Sequence, residues 1–207
     1  MSLDGTAPEI KRGRKYDQVV AGARKVFLAE GFEGASVDLI AKEAGVSKAT
    51  LYSYFPDKRM LFMEMSRLEC ERMATETLGV VDFTAPPREV MTTTASNLLR
   101  FLLSEFSLQM FRICTAEAKR FPELGQAFYK NGPEMGCNRM VAYLQVAIER
   151  GEIICDDPLM MAEQFTELCK TKLWTRAIFG VQSEFSEGEI AEVVTAAVDT
   201  TLARYGA

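Results

Sequence analysis

The sequence predicts an all-α fold, with an N-terminal three-helix unit of helix-turn-helix geometry and a larger C-terminal helical domain. Three observations predict it. Apolar residues recur at spacings of three and four from end to end. No alternating, strand-like run flanked by hairpin turns interrupts them. Glycine, serine and aspartate cut the first third into short pieces, at the offsets that stop one helix and start the next. The expected division is a flexible basic arm at 1–14, the three-helix unit at 15–60 and the larger domain at 61–207.

The elements follow in order. A first helix is expected from about Lys15 to Glu30, with Val19, Val20, Ala23, Val26 and Phe27 on one face. Gly31 is placed to end it in the left-handed region that glycine tolerates. Ser36 is an N-cap for VDLIAKEA, whose inner face holds Leu39, Ile40 and Ala44, and Gly45 stops that helix. Ser47 can cap a third helix only two residues later. Phe55-Pro56-Asp57 breaks the chain again, and Asp57 caps a fourth helix from Lys58 towards Leu78. Short helix, glycine-containing turn, short helix is a helix-turn-helix by its punctuation. Val81 to Pro87 reads as a boundary with two prolines. Beyond it, helices are expected at about 88–104, 106–119, 123–150, 158–180 and 187–205. A break is allowed near Asn131-Gly132-Pro133, and Asp157-Pro158 is a strong start signal.

Composition limits the chemistry. The 207 residues contain no histidine, which removes the commonest general base and metal ligand. Five cysteines, odd in number and without a CxxC pair, argue against a disulfide framework or a structural zinc site. They read as buried, hydrophobe-like residues. No cofactor, metal or catalytic constellation is expected. No apolar run is long enough to span a bilayer, and MSLDGTAPEIKRGRKYD lacks the apolar core of a secretory signal, so a cytoplasmic chain with no membrane partner is expected. The net charge of −5 is unevenly spread. Residues 1–60 carry ten Lys/Arg against eight Asp/Glu, and residues 61–207 carry fourteen against twenty-one. Lys11, Arg12, Arg14 and Lys15 concentrate positive charge within five residues.

The stretch GVSKATLYSYFPDKRML has more polar and aromatic surface than a short helix needs for packing. In a helix-turn-helix the second helix lies in the DNA major groove and the first crosses the backbone. Leu51 and Phe55, with Val46, hold the helix on its core, and Lys48 and Tyr52 share an outward side. Lys48, Tyr52 and Tyr54 can reach phosphates or base edges, Thr50 can donate to a phosphate oxygen, and Ala49 permits close approach to a thymine methyl. Ser36 and Ser47 mark helix N-termini that suit phosphates. Lys58, in the first turn of its helix, opposes the helix dipole, and a phosphate contact would explain it. The basic arm can add minor-groove or backbone contacts.

Residues from about Arg14 to Leu61 resemble the DNA-binding domain of TetR/AcrR-type transcriptional regulators. The likeness rests on FLAEGFEGASVDLIAKEAGVSKATLYSYFPDKRMLF, roughly a quarter of the chain. It implies that Ser47 to Tyr54 form the recognition helix and that Ser36 and Lys58 contact phosphates. Residues 120–165 are similar to the C-terminal domain of the AefR-like subgroup, which implies a helical ligand-sensing and dimerisation domain without catalytic residues. The implied function is a sequence-specific regulator, most often a repressor, that binds a palindromic double-stranded operator as a homodimer. The competing readings are a helical enzyme, or an interaction or ligand-binding protein without DNA readout.

Two further sites are expected in the larger domain. Phe101, Phe106, Met110, Phe111, Cys114 and Phe128, with Trp174, form a candidate pocket for a small apolar or weakly polar effector; the alternative is simple core. Met161, Phe165, Leu168 and Leu173 recur along one helical stretch, and Ile190, Val194, Ala197, Thr201 and Tyr205 along the last. These stripes fit a four-helix bundle between two subunits, or else the core of their own subunit. Ala191, Ala196, Ala197 and Ala203 would allow close helix approach.

Overall fold

The computed structural model describes residues 13–78, 82 and 84–207, with the backbone alone at 73–78. Every regular element among them is helical; the one pairing of extended backbone is an isolated antiparallel bridge between Ile153 and Gly206. Among the described residues, no helix is long and apolar enough to cross a membrane. The chain divides into two compact units, Met1–Met65 and Ser66–Ala207, and the division falls inside a helix.

The first unit holds α1 (Arg14–Gly34), α2 (Val37–Ala44), α3 (Lys48–Tyr54) and the start of α4 (Lys58–Leu78). Its punctuation is chemical. Gly31, at φ 69° and ψ −178°, breaks the regular run of α1. The Ser36 hydroxyl accepts from the Leu39 N–H and the Ser47 hydroxyl from the Thr50 N–H, both at 3.1 Å. Gly45, at φ 65° and ψ 34°, ends α2 in the left-handed conformation. Asp57 Oδ1 accepts from the N–H groups of Arg59 and Met60 and so caps α4.

Tyr16, Val19, Phe27, Phe32, Ile40, Leu51, Phe55, Leu61 and Phe62 fill the small core. Phe62 meets Phe27 and Phe32 edge-on, with centroids 5.0 and 5.4 Å apart. Each such ring contributes roughly 1.5–3 kcal/mol by burial. α1 and α2 cross closely at Gly22, where a Cβ would lie 2.7 Å from the Ala44 nitrogen. Three expected core positions differ, Val20 among them, which is half-buried. Leu39 is outward and 37% exposed, because Ile40, Ala41 and Ala44 take the inner face of α2, and Val46 is half-buried.

The second unit contains α5 (Pro87–Leu103), α6 (Glu105–Glu117), α7 (Pro122–Tyr129), α8 (Met135–Glu149), α9 (Pro158–Cys169), α10 (Leu173–Ile178) and α11 (Glu187–Tyr205). A π-helical turn, Lys130–Glu134, joins α7 to α8 without interrupting the helix, at the expected Asn131-Gly132-Pro133 break. The expected helix over 158–180 is two helices. Lys172 sits at φ 68° and ψ −55°, and the Leu173 N–H donates to the Thr171 carbonyl at 2.7 Å. This is a γ-turn of the strained, positive-φ kind, and no glycine or proline marks it. α11 packs on α5 and α9, and α8 on α9. Their shared core includes Met91, Leu99, Tyr143, Leu144, Met161, Phe165, Val194 and Val198.

Candidate functional site

The outward face of α3 is the first candidate. Leu51 and Phe55 are fully buried, so they fix the rotation of α3. Lys48, Ala49 and Tyr52 consequently point to solvent, with Tyr52 49% exposed. Thr50 is half-buried, and its hydroxyl lies 2.8 Å from the Ser47 hydroxyl, so these two side chains form one capping pair. Tyr54 is half-buried and stands edge-to-face on Tyr16, centroids 5.9 Å apart. Its ring therefore helps hold α3 on α1. Ser36 and Arg14 are exposed; Lys11 and Arg12 lie outside the described residues.

Lys58 has a structural role that its place in the sequence hides. Its Nζ donates to the carbonyls of Phe32, Glu33 and Ala35 at 2.8, 3.3 and 3.3 Å, and lies 4.7 Å from the Phe32 ring centroid. A cation in the first turn of α4 is unfavourable for α4 itself, but it satisfies the carbonyl groups left open at the end of α1. Sequence reading also missed Asp38. In the first turn of α2, it pairs with Lys48 across the turn. The hydrogen bond and charge of Asp38 raise the Lys48 pKa above its usual value, so the ammonium stays charged.

The second candidate is a cavity of about 530 Å³ inside the second unit. Phe101, Phe106, Met110, Phe111, Phe128 and Trp174 all line it, as the sequence led us to expect. Trp174 meets Phe111 edge-on at 4.8 Å, and Phe111 meets Phe128 at 6.5 Å. Cys114 does not line it. One turn beyond Met110 on α6, it is buried, and burial pushes its thiol up to about 12. Burial likewise raises Cys70 to about 11 and Cys169 to about 12, so all three are inert thiols. Cys137 and Cys155 are only half-buried, contrary to expectation.

The walls include residues that the sequence reading passed over. Thr94 and Leu98 fall on the same face of α5 as Phe101, at spacings of four and three that could have revealed them. The π-helical turn adds Gly132 and Pro133, and α4 adds Ser66 and Cys70. Local widening of a helix by a π turn is frequent at functional sites.

The expected subunit interface needs correction. Met161, Phe165, Ile190, Val194, Ala197 and Thr201 are buried within the single chain, each at most 6% exposed, and Leu168 packs partly buried against the same core. Their stripes are consumed by packing of α9 and α11 on α5 and α8. Ala191, Ala196 and Ala203 of α11 are exposed, whereas Ala197 is buried in the same core.

Comparison with known proteins agrees with this arrangement. Residues 19–65 match the family model "Bacterial regulatory proteins, tetR family". Residues 89–207, over half the chain, match that of the C-terminal domain of AefR-like transcriptional repressors. A TetR-family regulator structure from Mesorhizobium loti is 28% identical with a TM-score of 0.84, covering 96% of this chain and all of that one. The structure of the flavonoid-responsive regulator FrrA is 34% identical with a TM-score of 0.81, covering 94% of this chain and 98% of that one. Among curated proteins, the regulator YdeS of Bacillus subtilis is 37% identical over 99 residues, 45% of this chain. The repressor AcnR of Corynebacterium diphtheriae is 35% identical over 60 residues, 29% of this chain. The chain spans only 48% and 32%, respectively, of the length of these two curated relatives. With a helix-turn-helix unit, a helical second unit and a family match over most of its length, the chain belongs to the TetR family of bacterial transcriptional regulators.

Proposed function

We propose that the protein is a cytoplasmic repressor that binds a palindromic operator as a homodimer and is released by a small, weakly polar ligand. The observation that carries the reading is the exposed face of α3. Lys48, Ala49 and Tyr52 stand on a helix whose rotation is fixed by Leu51 and Phe55. In this reading Lys48 and Tyr52 read base edges or phosphates, Ala49 permits close approach, and Thr50, Tyr54, Ser36, Ser47 and Lys58 support or extend the contact. Arg14, with Lys11 and Arg12, supplies arm contacts. One such unit makes few base contacts, so two half-sites are required. The exposed surface of α11 offers Ala191, Ala196 and Ala203 to a second copy.

The cavity would hold the effector. Its aromatic walls suit a ring-shaped molecule, and the flavonoid-responsive regulator at 34% identity supports that class. α4 gives a route for the signal. It carries the cavity residues Ser66 and Cys70, and its first turn carries Lys58, which grips the end of α1. A ligand that displaces α4 would move the two recognition helices from the separation of one major-groove repeat, about 34 Å. Selection of bound sequences from random duplexes, followed by salt titration, tests the reading. A palindromic motif whose affinity falls steeply with salt supports it. Absence of any enriched sequence with dimer in hand refutes it in favour of an interaction protein.

A further inference from the structure

We infer that the cavity is built for an uncharged ring system bearing a hydrogen-bonding oxygen, with Thr94 as the residue that selects for that oxygen. The inference rests on the effector reading above and specifies the chemistry of its ligand.

The distribution of polarity along the walls carries it. Ser66 and Ser107 are buried at 4% and 7% exposure, and both line the cavity. The charged lining residues are all less buried: Arg139 and Lys170 half-buried, Glu134, Glu163 and Glu167 exposed. Lys170 is already paired with Glu167 and lies 5.5 Å from the Trp174 ring centroid. With Lys170 committed to Glu167, Arg139 is the remaining lining cation against Glu134 and Glu163, so a carboxylate ligand would lose its hydration in a lining of net negative charge. A neutral ligand avoids that cost.

Thr94 narrows the choice further. Among the described residues, its Oγ1 is the one buried side-chain oxygen or nitrogen without a hydrogen-bond partner. Buried hydroxyls are ordinarily paired, and Thr94, a residue of the cavity lining, holds its hydroxyl oxygen covered and unpaired. Threonine in a helix has two accessible side-chain rotamers, so a turn about χ1 can bring the hydroxyl to a ligand in the cavity. A hydrocarbon filling the cavity would offer this hydroxyl no partner. A ligand hydroxyl or carbonyl would pair with it, while the rings of Phe111, Phe128 and Trp174 take the flat apolar body.

Calorimetric titration of the full chain tests this with two probes, 6-hydroxyflavone and decanoate, on wild type, Thr94→Val and Thr94→Ser. We expect the flavone to bind wild type at least tenfold more tightly than decanoate. Thr94→Val should weaken the flavone by roughly fivefold to tenfold, the loss of one neutral hydrogen bond. Thr94→Ser should stay within about twofold of wild type, since it keeps the hydroxyl. Unchanged flavone affinity in Thr94→Val, tighter decanoate binding, or no flavone binding at all overturns the inference. Operator affinity, measured separately, distinguishes the two levels. Thr94-dependent binding that leaves operator affinity unchanged sinks the effector reading alone, and operator release indifferent to Thr94→Val sinks this inference alone.

Discussion

At the scale of single residues, α3 divides its side chains between holding and reading. Tyr52→Ala removes an exposed ring and leaves the core untouched, so operator affinity should fall roughly tenfold, about 1–3 kcal/mol, with little change in melting temperature. Gel-shift titration beside thermal melting checks both halves. Tyr54→Ala should do the reverse in part, since its ring packs on Tyr16 and its loss loosens α3. Asp38→Asn frees Lys48 from its partner and removes a negative charge from the same face. We expect tighter binding to random duplex DNA and a steeper salt dependence in that variant; unchanged non-specific affinity would show that the pair plays no part in recognition. Gly22→Ala tests packing without touching the reading face. Its new Cβ would press on Ala44 backbone atoms at 2.7 Å, and a cost of about 1–3 kcal/mol is expected from overpacking, read by chemical denaturation.

At the scale of elements, helix ends decide the geometry. The cap of α11 is a reciprocal pair: the Glu189 N–H donates to the Ser186 hydroxyl, and the Glu189 carboxylate accepts from the Ser186 N–H. Hydrogen bonds from Gln182, then from the backbone and side chain of Ser186, hold the Glu189 carboxyl down to about 2 from its usual 4.5. A depressed folded-state value stabilises the fold above pH 4.5, and the contribution is lost as pH falls towards 2. Glu189→Gln should flatten that part of the acid unfolding curve while leaving neutral stability only modestly changed. The γ-turn at Lys172 is the opposite case, an end that stores strain. Lys172→Gly should raise stability by about 1 kcal/mol, because glycine adopts positive φ freely. Loss of the Lys172–Glu192 ion pair, an exposed contact, offsets little of this. A lower melting temperature in Lys172→Gly would show that the pair outweighs the strain.

At the scale of the whole molecule, the proposal requires a dimer that the buried stripes of α9 and α11 cannot make. Ala196→Arg, on the exposed side of α11, should yield monomers in sedimentation and abolish operator binding, with helical content unchanged. If Ala196→Arg remains dimeric, the second copy docks elsewhere. Much of this architecture was legible in the sequence. Gly31, Gly45, Ser36, Ser47 and Asp57 each act through local backbone chemistry, and local chemistry is what a sequence displays. The cavity wall was legible in part for a related reason, since Phe106 and Met110 stand four apart on one face of α6. Residues whose role depends on a distant partner were legible only in part: Leu39 on the wrong face, Lys58 without its carbonyl cage, Asp38 unnoticed.

By itself the sequence determined the helices, their punctuation and the likeness of both units to one regulator family. Periodicity, capping residues and motif spacing are properties of neighbours along the chain, and they need no fold to be read. Only the tertiary structure decided which stripe of each helix is spent. The apolar residues of α9 and α11 could serve a subunit interface or an internal core, and packing against α5 and α8 assigned them to the core. The same packing opened a cavity beside them and left the Thr94 hydroxyl buried without a partner. Burial is set by contacts among residues far apart in sequence, and periodicity alone cannot say which surface will cover a given face.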